Sequence, residues 1–489
     1  MMRSLYSGVS GLKNHQTRMD VVGNNISNVN TTGFKSSRVT FSDTLSQTLS
    51  GASAPTENRG GTNPKQIGLG SATSAIDTLF TDGSVQSTGV NTDLCLSGNG
   101  LFVVKDGNLS YYTRNGNFKF DKEGYYVNSD GLKVQGWSAT TPGDAINTNG
   151  QPSEICIPAG KTMAAAATTK ATFSNNLNAA EPMIKSITIT TADGQTETIN
   201  TAKKTFKIGD AYTPTTAGAT ASTIASLTLN MTDGTNTTET EGSFTVGYSK
   251  PKTTIANVYD SLGNSHNVVI YMTKTNADNT GSTWQMSLTD VKADGTSTAT
   301  LKDSNGKDIE LEMPKTEVKF NTNGGYDSGT GTTTLTLTNG AVGTQTVAMD
   351  FTALTQYAGS STAFATTDGN AAGTLKSVSI DSAGVITGTY TNGLNVQEAQ
   401  VAIAQFNNAS GLTKTGNSLY TESNNSGTPN IGTISDLGCT VTPSALEMSN
   451  VDMASELTDM IVTQRGYQSN SKIITVSDEL LETLINMKR

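Results

Sequence analysis

Charge is the first property that this sequence has little of. Asp, Glu, Lys and Arg make up 15% of its 489 residues, whereas globular proteins usually contain about 25%. Gly, Ser, Thr and Asn take their place, which is typical of short strands joined by turns or of a secreted surface that faces other proteins. The net charge of −10 and the isoelectric point near 4.9 argue against nucleic acid and anionic membranes as partners, because basic surfaces bind both.

Side chains that carry enzyme chemistry are also scarce. The two histidines, His15 and His266, each lack a second histidine at metal-ligand spacing. The Gly-Asn-Gly turn at 98–100 is followed by the apolar run LFVV, so it predicts a hairpin and not a phosphate-binding loop. Neither a Walker sequence nor a G-x-S-x-G motif occurs. We therefore expect no enzyme activity, no cofactor and no metal site.

Cysteine is rare as well. Cys95, Cys156 and Cys439 are odd in number and far apart, which argues against both a disulfide framework and a zinc site. We expect Cys95 to be a small buried residue of a strand. Cys156 lies near Lys161 in the sequence, which leaves covalent chemistry open at that position.

Long apolar segments are missing. No run approaches the ~18 apolar residues that a membrane-spanning helix needs. The N-terminal sequence MMRSLYSGVSGLKNHQ lacks the apolar segment of a secretory signal peptide. We therefore expect no membrane insertion and, if the protein leaves the cell, export by a route without a cleaved signal peptide.

An amphipathic helical pattern is present at the N-terminus. Its apolar seam recurs at steps of 3, 4 or 7 and comprises Leu5, Val9, Leu12, Met19 and Ile26. Glycines within the pattern weaken the helix by up to ~1 kcal/mol each relative to Ala, so we expect it to need a partner.

The sequence NNISNVNTTGFK at 24–35 predicts the end of this helix. Asn and Thr side chains compete for backbone hydrogen-bonding groups, and Gly33 can adopt the left-handed conformation that follows a helix. We predict a joint at Asn28, Asn30 and Gly33. The segment from 35 to 65 has no sustained period, and we expect an extended connector in which glycines such as Gly60 and Gly61 absorb changes in backbone dihedral angle.

A second, longer pattern ends the chain. Ser444 and Glu447 have the spacing of a capping box, so we predict a helix from Ala445 to Met487. Its seam alternates steps of 4 and 3 over more than four heptads, which is typical of a coiled coil. We expect its subunit-interface residues to be Met453, Leu457, Met460, Gln464, Tyr467, Ile474, Leu481 and Ile485.

Two interpretations of the terminal helices remain open. Each helix could pack on its own domain, or the two could form a contact that several copies of the chain share. Polar seam positions such as Gln16, Gln464, Ser471 and Asp478 favour the shared contact, because polar seam residues specify register. We therefore predict that both seams are subunit interfaces.

Between the helices, the sequence predicts a mainly β fold with nested domains. Turn signals every 7 to 9 residues between 77 and 137, and a similar pattern from 377 to 420, predict one inner β domain split around a large all-β insertion. Length alone suggests roughly three domains. The predicted bounds are 1–30 and 445–489 for the helices, 31–75 and 421–444 for the connector, 76–140 and 375–420 for the inner β domain, and 141–374 for the insertion, with a possible subdomain at 177–248.

These motifs resemble a known family. SLYSGVSGLKNHQTRMDVVGNNISNVNTTGFK at the N-terminus and ALEMSNVDMASELTDMIVTQRGYQSNSKIITVSDELLETLINMKR at the C-terminus are similar to the paired terminal signatures of bacterial flagellar rod and hook proteins. NTDLCLSGNGLFVV and YYTRNGNFKFDKEGYYV resemble that family's β domain. VYDSLGNSHNVVIYM resembles the outer domain of its hook members, and the length of the chain also favours a hook protein over a rod protein.

The resemblance implies a structural subunit that polymerises into a curved, hollow tube outside the cell, with terminal helices lining the channel. Such a tube would act as a universal joint between the motor and the filament. Its partners would be other copies of itself, rod proteins below, hook–filament junction proteins above, the hook cap during assembly and the flagellar type III export apparatus. The alternatives are a distal rod or junction protein of the same family and, in another class, a secreted adhesin.

Overall fold

The computed structural model describes residues 2–55, 57, 59–140, 143, 145–215, 220–291, 295–302, 306–337 and 341–487. It has a helix at each end, α1 (Met2–Ser27) and α2 (Met453–Met487), and β-strands between them. This confirms the predicted mainly β fold with terminal helices. The chain forms two compact units, residues 1–161 with 374–489 and residues 162–373.

The start of α2 differs from the prediction. Residues Ala445–Glu447 form a short strand that pairs with Val85–Ser87, and the helix begins only at Met453. Asp452 caps it, because its Oδ1 accepts hydrogen bonds from the backbone N–H groups of Ala454 (2.9 Å) and Ser455 (3.3 Å). Ser444 and Glu447 therefore have the spacing of a capping box, but they lie at a short β-strand and not at the start of the helix.

The predicted connector after α1 is an antiparallel β-ribbon. Ser37–Asp43 pairs with Ser71–Thr78, and further out Ser46–Ser50 pairs with Lys65–Gly68. Every described residue from 41 to 68 is exposed. The inner pair of strands lies against α1, where the Asn14 side chain donates to Ser71 Oγ at 2.7 Å. The outer pair is exposed, so its sequence needs no apolar alternation and does not predict the strands.

The first unit contains a β domain around one main cluster of buried side chains. That cluster includes Phe102, Phe118 and Tyr126. The strands of this domain are Val85–Ser87, Leu94–Ser97, Gly100–Asp106, Leu109–Thr113, Phe118–Phe120, Tyr126–Asn128, Lys133–Ser138, Ser153–Glu154, Gly373–Ile380, Val385–Tyr390, Asn395–Val401, Ile403–Gln405, Thr413–Gly416, Leu419–Thr421, Asn430–Gly432, Thr440–Pro443 and Ala445–Glu447, and a short 3-10 turn lies at Ala409–Gly411.

The bounds of this domain are wider than the sequence suggested. Ile155 and Ile157 fill its core, so the chain leaves the first unit after Lys161 and not near 141, a position outside the described residues. Ile434 and Val441 belong to the same core, so 421–444 is part of the β domain and not a connector. Isolated apolar residues among Ser, Thr and Gly mark these short core strands only weakly in the sequence.

The second unit is all-β and contains two clusters of buried side chains. The larger surrounds Trp284, Phe173 and Phe351. Its strands are Thr162–Met163, Lys170–Asn178, Lys252–Tyr259, Ser265–Asp278, Gly281–Ser287, Asp290–Val291, Ser297–Lys302, Asp308–Met313, Thr316–Phe320, Tyr326–Ser328, Gly331–Thr336, Thr344–Tyr357 and Phe364–Thr367. The smaller cluster lies within 184–246, among Ile184–Thr191, Thr196–Ile199, Thr205–Lys207, Ala211–Tyr212, Ser222–Met231, Asn236–Glu239 and Ser243–Thr245.

Candidate assembly surface

The two terminal helices lie side by side and run in opposite directions. Gly8 of α1 lies against Ile474 of α2, and further along α1 His15 lies against Gly466. A Cβ atom on Gly466 would lie 2.5 Å from Cε1 of His15. The helices can approach closely here because this position carries no side chain.

Polar groups complete the contact between the helices. Arg18 and Asp459 form an ion pair at 3.0 Å, with both side chains partly exposed, so it adds little stability. The Asn25 amide donates to Oε1 of Glu456 at 3.0 Å. Partial burial raises the pKa of Glu456 above its ordinary value, although the Asn25 hydrogen bond opposes that shift. Small and polar residues thus form part of the contact between the two helices.

The seam predicted for α1 is not the line that faces α2. Gly8, Gly11, His15 and Arg18 face α2, and the predicted positions follow these by one residue, which rotates them by about 100° around the helix. All five predicted side chains of α1 are half-buried: Leu5, Val9, Leu12, Met19 and Ile26. They therefore keep part of their surface in solvent within one chain.

The predicted residues of α2 divide into two groups. Ile474, Met460 and Leu481 are half-buried, and Ile474 contacts α1. The others are exposed: Met453 (44%), Leu457 (46%), Tyr467 (40%), Ile485 (64%) and Gln464. Additional apolar side chains that the prediction omitted are also exposed on α2, namely Ile461, Val462, Val476, Leu480 and Leu484. An apolar surface of this extent on one helix is typical of a protein interaction site.

The Asn-rich end of α1 forms a hydrogen-bonded joint. The side chain of Asn28 donates to the carbonyl of Asn24 at 2.9 Å, within the last turn of the helix. Asn25 is buried and exchanges two hydrogen bonds with the backbone of Ser37, at 2.9 and 3.0 Å. Asn30 is exposed. The amides therefore end the helix and fix the first strand of the ribbon beside it.

Gly33 has the predicted left-handed conformation, with φ +66°, but not the predicted place at the end of the helix, because α1 ends at Ser27. A Cβ atom on Gly33 would lie 2.5 Å from the backbone nitrogen of Asn115. The N–H of Gly33 donates to the carbonyl of Glu447 at 2.8 Å. Glycine is required here because two strands of the β domain approach its backbone.

A buried ion cluster lies directly behind this joint. Glu447 Oε1 accepts hydrogen bonds from Lys35 Nζ (2.5 Å) and from the N–H of Gly83 (2.9 Å), and its Oε2 lies 3.4 Å from Arg114 Nη1. The side chains of Lys35, Arg114 and Glu447 are at most 1% exposed. Asp82, which is half-exposed, pairs with Arg114 at 3.3 Å. Burial lowers the pKa of Lys35 below its ordinary value, and the Glu447 carboxylate opposes that shift.

Sequence reasoning missed this cluster and the amides around it. The sequence predicts Glu447 in a helix cap and Lys35 in a connector. Asn450 was also missed: its Oδ1 accepts from the N–H of Ser36 at 2.8 Å, and its Nδ2 donates to the carbonyl of Leu79 at 2.9 Å. The available signal was a glutamate within the apolar sequence ALEM, in a chain that has few charges.

The ribbon carries the remaining predicted hinge residues. Gly60 and Gly61 lie exposed near its tip, where a Cβ atom on Gly61 would lie 2.9 Å from the carbonyl oxygen of Ser53. The ribbon also exposes apolar side chains, Leu45 (76%), Leu49 (56%) and Ile67 (41%).

The cysteines are separate from one another, and all three are free. Cys95 is buried, as the sequence predicted, and burial raises the pKa of its thiol to about 11. The thiol of Cys156 donates to the carbonyl of Glu123 at 3.7 Å, whereas Lys161 pairs with Glu398 at 2.6 Å. Across the residues that the structure describes, no three His, Cys, Asp or Glu side chains are grouped to hold a metal ion. In that same part of the chain, no helix is long and apolar enough to span a membrane.

Four family models match the chain in regions that agree with this architecture. Residues 5–35 match "Flagella basal body rod protein", and 442–487 match "Flagellar basal body rod FlgEFG protein C-terminal". Residues 95–195 match "Flagellar hook protein FlgE/F/G D1 domain", and 248–373 match "Flagellar basal body protein FlaE D2 domain". The two terminal models include α1 with its joint, and Glu447 with α2.

Individual proteins resemble the chain over its full length. The flagellar hook protein FlgE of Borreliella burgdorferi is 38% identical over 504 aligned positions, which cover 100% of both chains. That of Treponema pallidum is also 38% identical with 100% coverage of both chains. A crystal structure of Helicobacter pylori flagellar hook protein FlgE2 covers 74% of this chain and 100% of its own, at 16% identity and a TM-score of 0.47.

Proposed function

Because the chain belongs to the flagellar hook protein FlgE family and is a structural subunit of the flagellar hook, we propose that its terminal helices are the surface through which it polymerises. One observation carries this proposal. Leu457, Val476, Leu484 and Ile485 stay exposed on α2 although α1 already lies beside it. Burial of an exposed Leu or Ile side chain stabilises a contact by about 1.5–3 kcal/mol, so these residues favour association with further copies.

The ribbon supports the same proposal. The outer part of the ribbon, Ser46–Ser50 with Lys65–Gly68, is exposed throughout, and a two-stranded ribbon without a covering surface is at best marginally stable in water. Leu45 and Leu49 add apolar surface to it. Each strand also has one edge of backbone groups free for pairing. In our proposal the ribbon rests on a second copy in the assembled hook.

In this proposal the polymer is a curved, hollow tube that acts as a universal joint between motor and filament. Paired helices resist twisting because they are continuous packed rods. Contacts made by uncharged Ser, Thr and Asn side chains are wet and readily exchanged, which permits bending. Rod proteins below, junction proteins above, the hook cap and the type III export apparatus complete the proposed set of partners.

Electron microscopy of cells that lack this chain tests the proposed function. We expect basal bodies with neither hook nor filament, and restoration of both when the full chain is supplied from a plasmid. Normal hooks in the deleted strain would contradict the proposal. A strain that keeps its hooks and filaments but loses adhesion to host ligands would favour the adhesin alternative.

A further inference from the structure

We propose that Glu447 is a positioning residue, whose buried carboxylate fixes the direction in which both terminal helices leave the β domain. The inference rests on the proposed function, in which those helices build the polymer. It extends that function because it assigns the rigid connection between the helices and the β domain to a single charged group.

The ion pair of Lys35 and Glu447 links the segments that adjoin the two helices. Lys35 follows the end of α1 at Ser27, and Glu447 precedes the start of α2 at Met453. Their contact at 2.5 Å therefore joins the segment that follows α1 to the segment that precedes α2. We call these two segments, 28–37 and 445–452, the helix bases. Backbone bonds support the same connection, because the N–H of Gly33 donates to the Glu447 carbonyl at 2.8 Å.

The cluster is also bonded to the β domain. Glu447 Oε1 accepts from the N–H of Gly83 at 2.9 Å, and Lys35 Nζ donates to the carbonyl of Thr81 at 2.6 Å. Arg114, which follows the strand Leu109–Thr113, donates through Nη1 to the carbonyl of Leu96 at 3.0 Å and lies 3.4 Å from Glu447 Oε2. Both helix bases are thus tied to several parts of the β domain at once.

The cluster is charged and hydrogen-bonded, although it is buried. A well-packed apolar cluster is often as stable as a buried ion pair or more so, so stability alone does not explain two cations and a carboxylate at this place. Hydrogen bonds have preferred directions, whereas apolar contacts permit sliding. A charged, hydrogen-bonded cluster therefore allows one orientation of the helix bases. Rotation of the helices would separate Glu447 from Gly83, Lys35 or Arg114.

The experiment uses the full-length chain and three variants. Glu447→Gln keeps the shape of the side chain and removes its charge. Lys35→Met with Glu447→Leu replaces the ion pair by apolar side chains, while Arg114 keeps Asp82 at 3.3 Å. Lys133→Met with Glu154→Gln is the matched control, because it removes a partly exposed ion pair of 2.7 Å from the same unit.

Hydrogen exchange on the purified monomer measures the connection itself. In Glu447→Gln we expect amides in 33–37, 79–84 and 445–450 to exchange about a hundredfold faster or more, because a buried cation loses its partner. Amides of Gly100–Asp106 and Leu109–Thr113 should keep their protection. If Glu447→Gln fails to fold, Glu447→Asp replaces it, because it keeps the charge and shortens its reach by one methylene group.

Electron microscopy of hooks and swimming in viscous medium measure the consequence. We expect both Glu447→Gln and the apolar pair to give short or irregular hooks and to lose swimming under load, while the control pair stays normal. Regular hooks and full swimming in the apolar pair would overturn the proposal, because the direction of the terminal helices would then not depend on the charge of Glu447. Unchanged exchange around Glu447 in Glu447→Gln would overturn it as well. The monomer measurement does not require polymerisation, so it separates failure of this proposal from failure of the proposed function.

Discussion

The β domain and the terminal helices of the same unit differ in how completely they bury their large side chains. Phe102, Phe118 and Tyr126 of the β domain are 0% exposed, whereas Leu457 and Ile485 of α2 are 46% and 64% exposed. The β domain is thus complete within one chain. The helices have only part of the contact surface that their sequence provides, so their stability depends on what covers the remaining surface.

The largest expected effect comes from adding charge to the apolar residues of α2 that we assign to the subunit interface, of which Leu457 is exposed and Leu481 half-buried. Leu457→Asp together with Leu481→Asp should abolish hook assembly, because an unpaired carboxylate in an apolar contact costs several kcal/mol. The β domain should remain folded, since neither residue belongs to its core. Electron microscopy of hooks and thermal unfolding of the purified monomer measure the two outcomes.

The control for this variant adds the same two charges at polar, exposed positions of α2. Thr458→Asp with Ser469→Asp should leave assembly unchanged. Hooks of normal length and number from the Leu457 and Leu481 variant would contradict the assignment of α2 as an interface. Loss of the folded β domain in that variant would show instead that α2 stabilises it within one chain.

The difference between the two regions also explains what the sequence could predict. Alternating apolar residues and closely spaced turn signals indicate short strands directly, so the sequence predicts the mainly β fold class with terminal helices correctly. It does not predict the strands of the ribbon or the bounds of the β domain. The intrachain contact of α1 and α2 depends on Gly8, Gly11 and Gly466. A seam defined by apolar residues does not include this contact, because the sequence pattern treats glycines only as residues that destabilise the helix.

The buried ion cluster behind the joint is hard to predict for a related reason. Glu447 and Ser444 fit a capping box, and local sequence does not show that Lys35 and Arg114 lie beside Glu447 in the folded chain. These residues lie far apart in the sequence and meet only in the folded chain, where Ala445–Glu447 is a strand of the β domain and the N–H of Gly33 donates to the Glu447 carbonyl. A charge in an apolar segment signals a buried partner but does not identify it.

A smaller effect should follow from changing one glycine in the helix contact. Gly466→Ala should weaken the pairing of α1 and α2, because the new Cβ would lie 2.5 Å from the His15 ring, and overpacking typically costs about 1–3 kcal/mol. The better helix propensity of Ala offsets up to about 1 kcal/mol of this loss. Hydrogen exchange of α1 amides in the monomer should therefore become faster.

Gly23→Ala is the matched variant for this measurement. Gly23 lies within α1, and no heavy atom comes within 4 Å of the Cβ position. The substitution should therefore slow exchange in α1, by up to the equivalent of about 1 kcal/mol. Unchanged exchange of α1 amides in Gly466→Ala, with slower exchange in Gly23→Ala, would indicate that the monomer in solution does not hold α1 against α2 at Gly466.

The smallest expected effect concerns pH. Acidification should stabilise the helix pair and destabilise the second unit. Partial burial raises the pKa of Glu456, between α1 and α2, above its value in the unfolded chain. The helix pair is therefore stabilised below the unfolded pKa and loses that stabilisation as pH rises through the folded value. In the second unit, Lys170 and Thr352 lower the pKa of Asp350 to about 2. That unit keeps the stabilisation above the unfolded pKa of 3.8 and loses it as pH falls toward about 2.

Hydrogen exchange corrected for intrinsic rates measures both signs in one series from pH 7 to pH 2.5. Acidification toward pH 4 should slow exchange in Met453–Met487, whereas exchange in Thr344–Tyr357 should become faster below pH 4. Glu456→Gln should remove the first change and Asp350→Asn the second. If acidification made exchange faster in both regions, Glu456 would be solvated in the monomer. The helices would then not pack against each other as α1 and α2 do in this structure. Opposite signs would establish that the helix pair already forms within one chain, so that the interface with further copies is made by a helix pair and not by single helices.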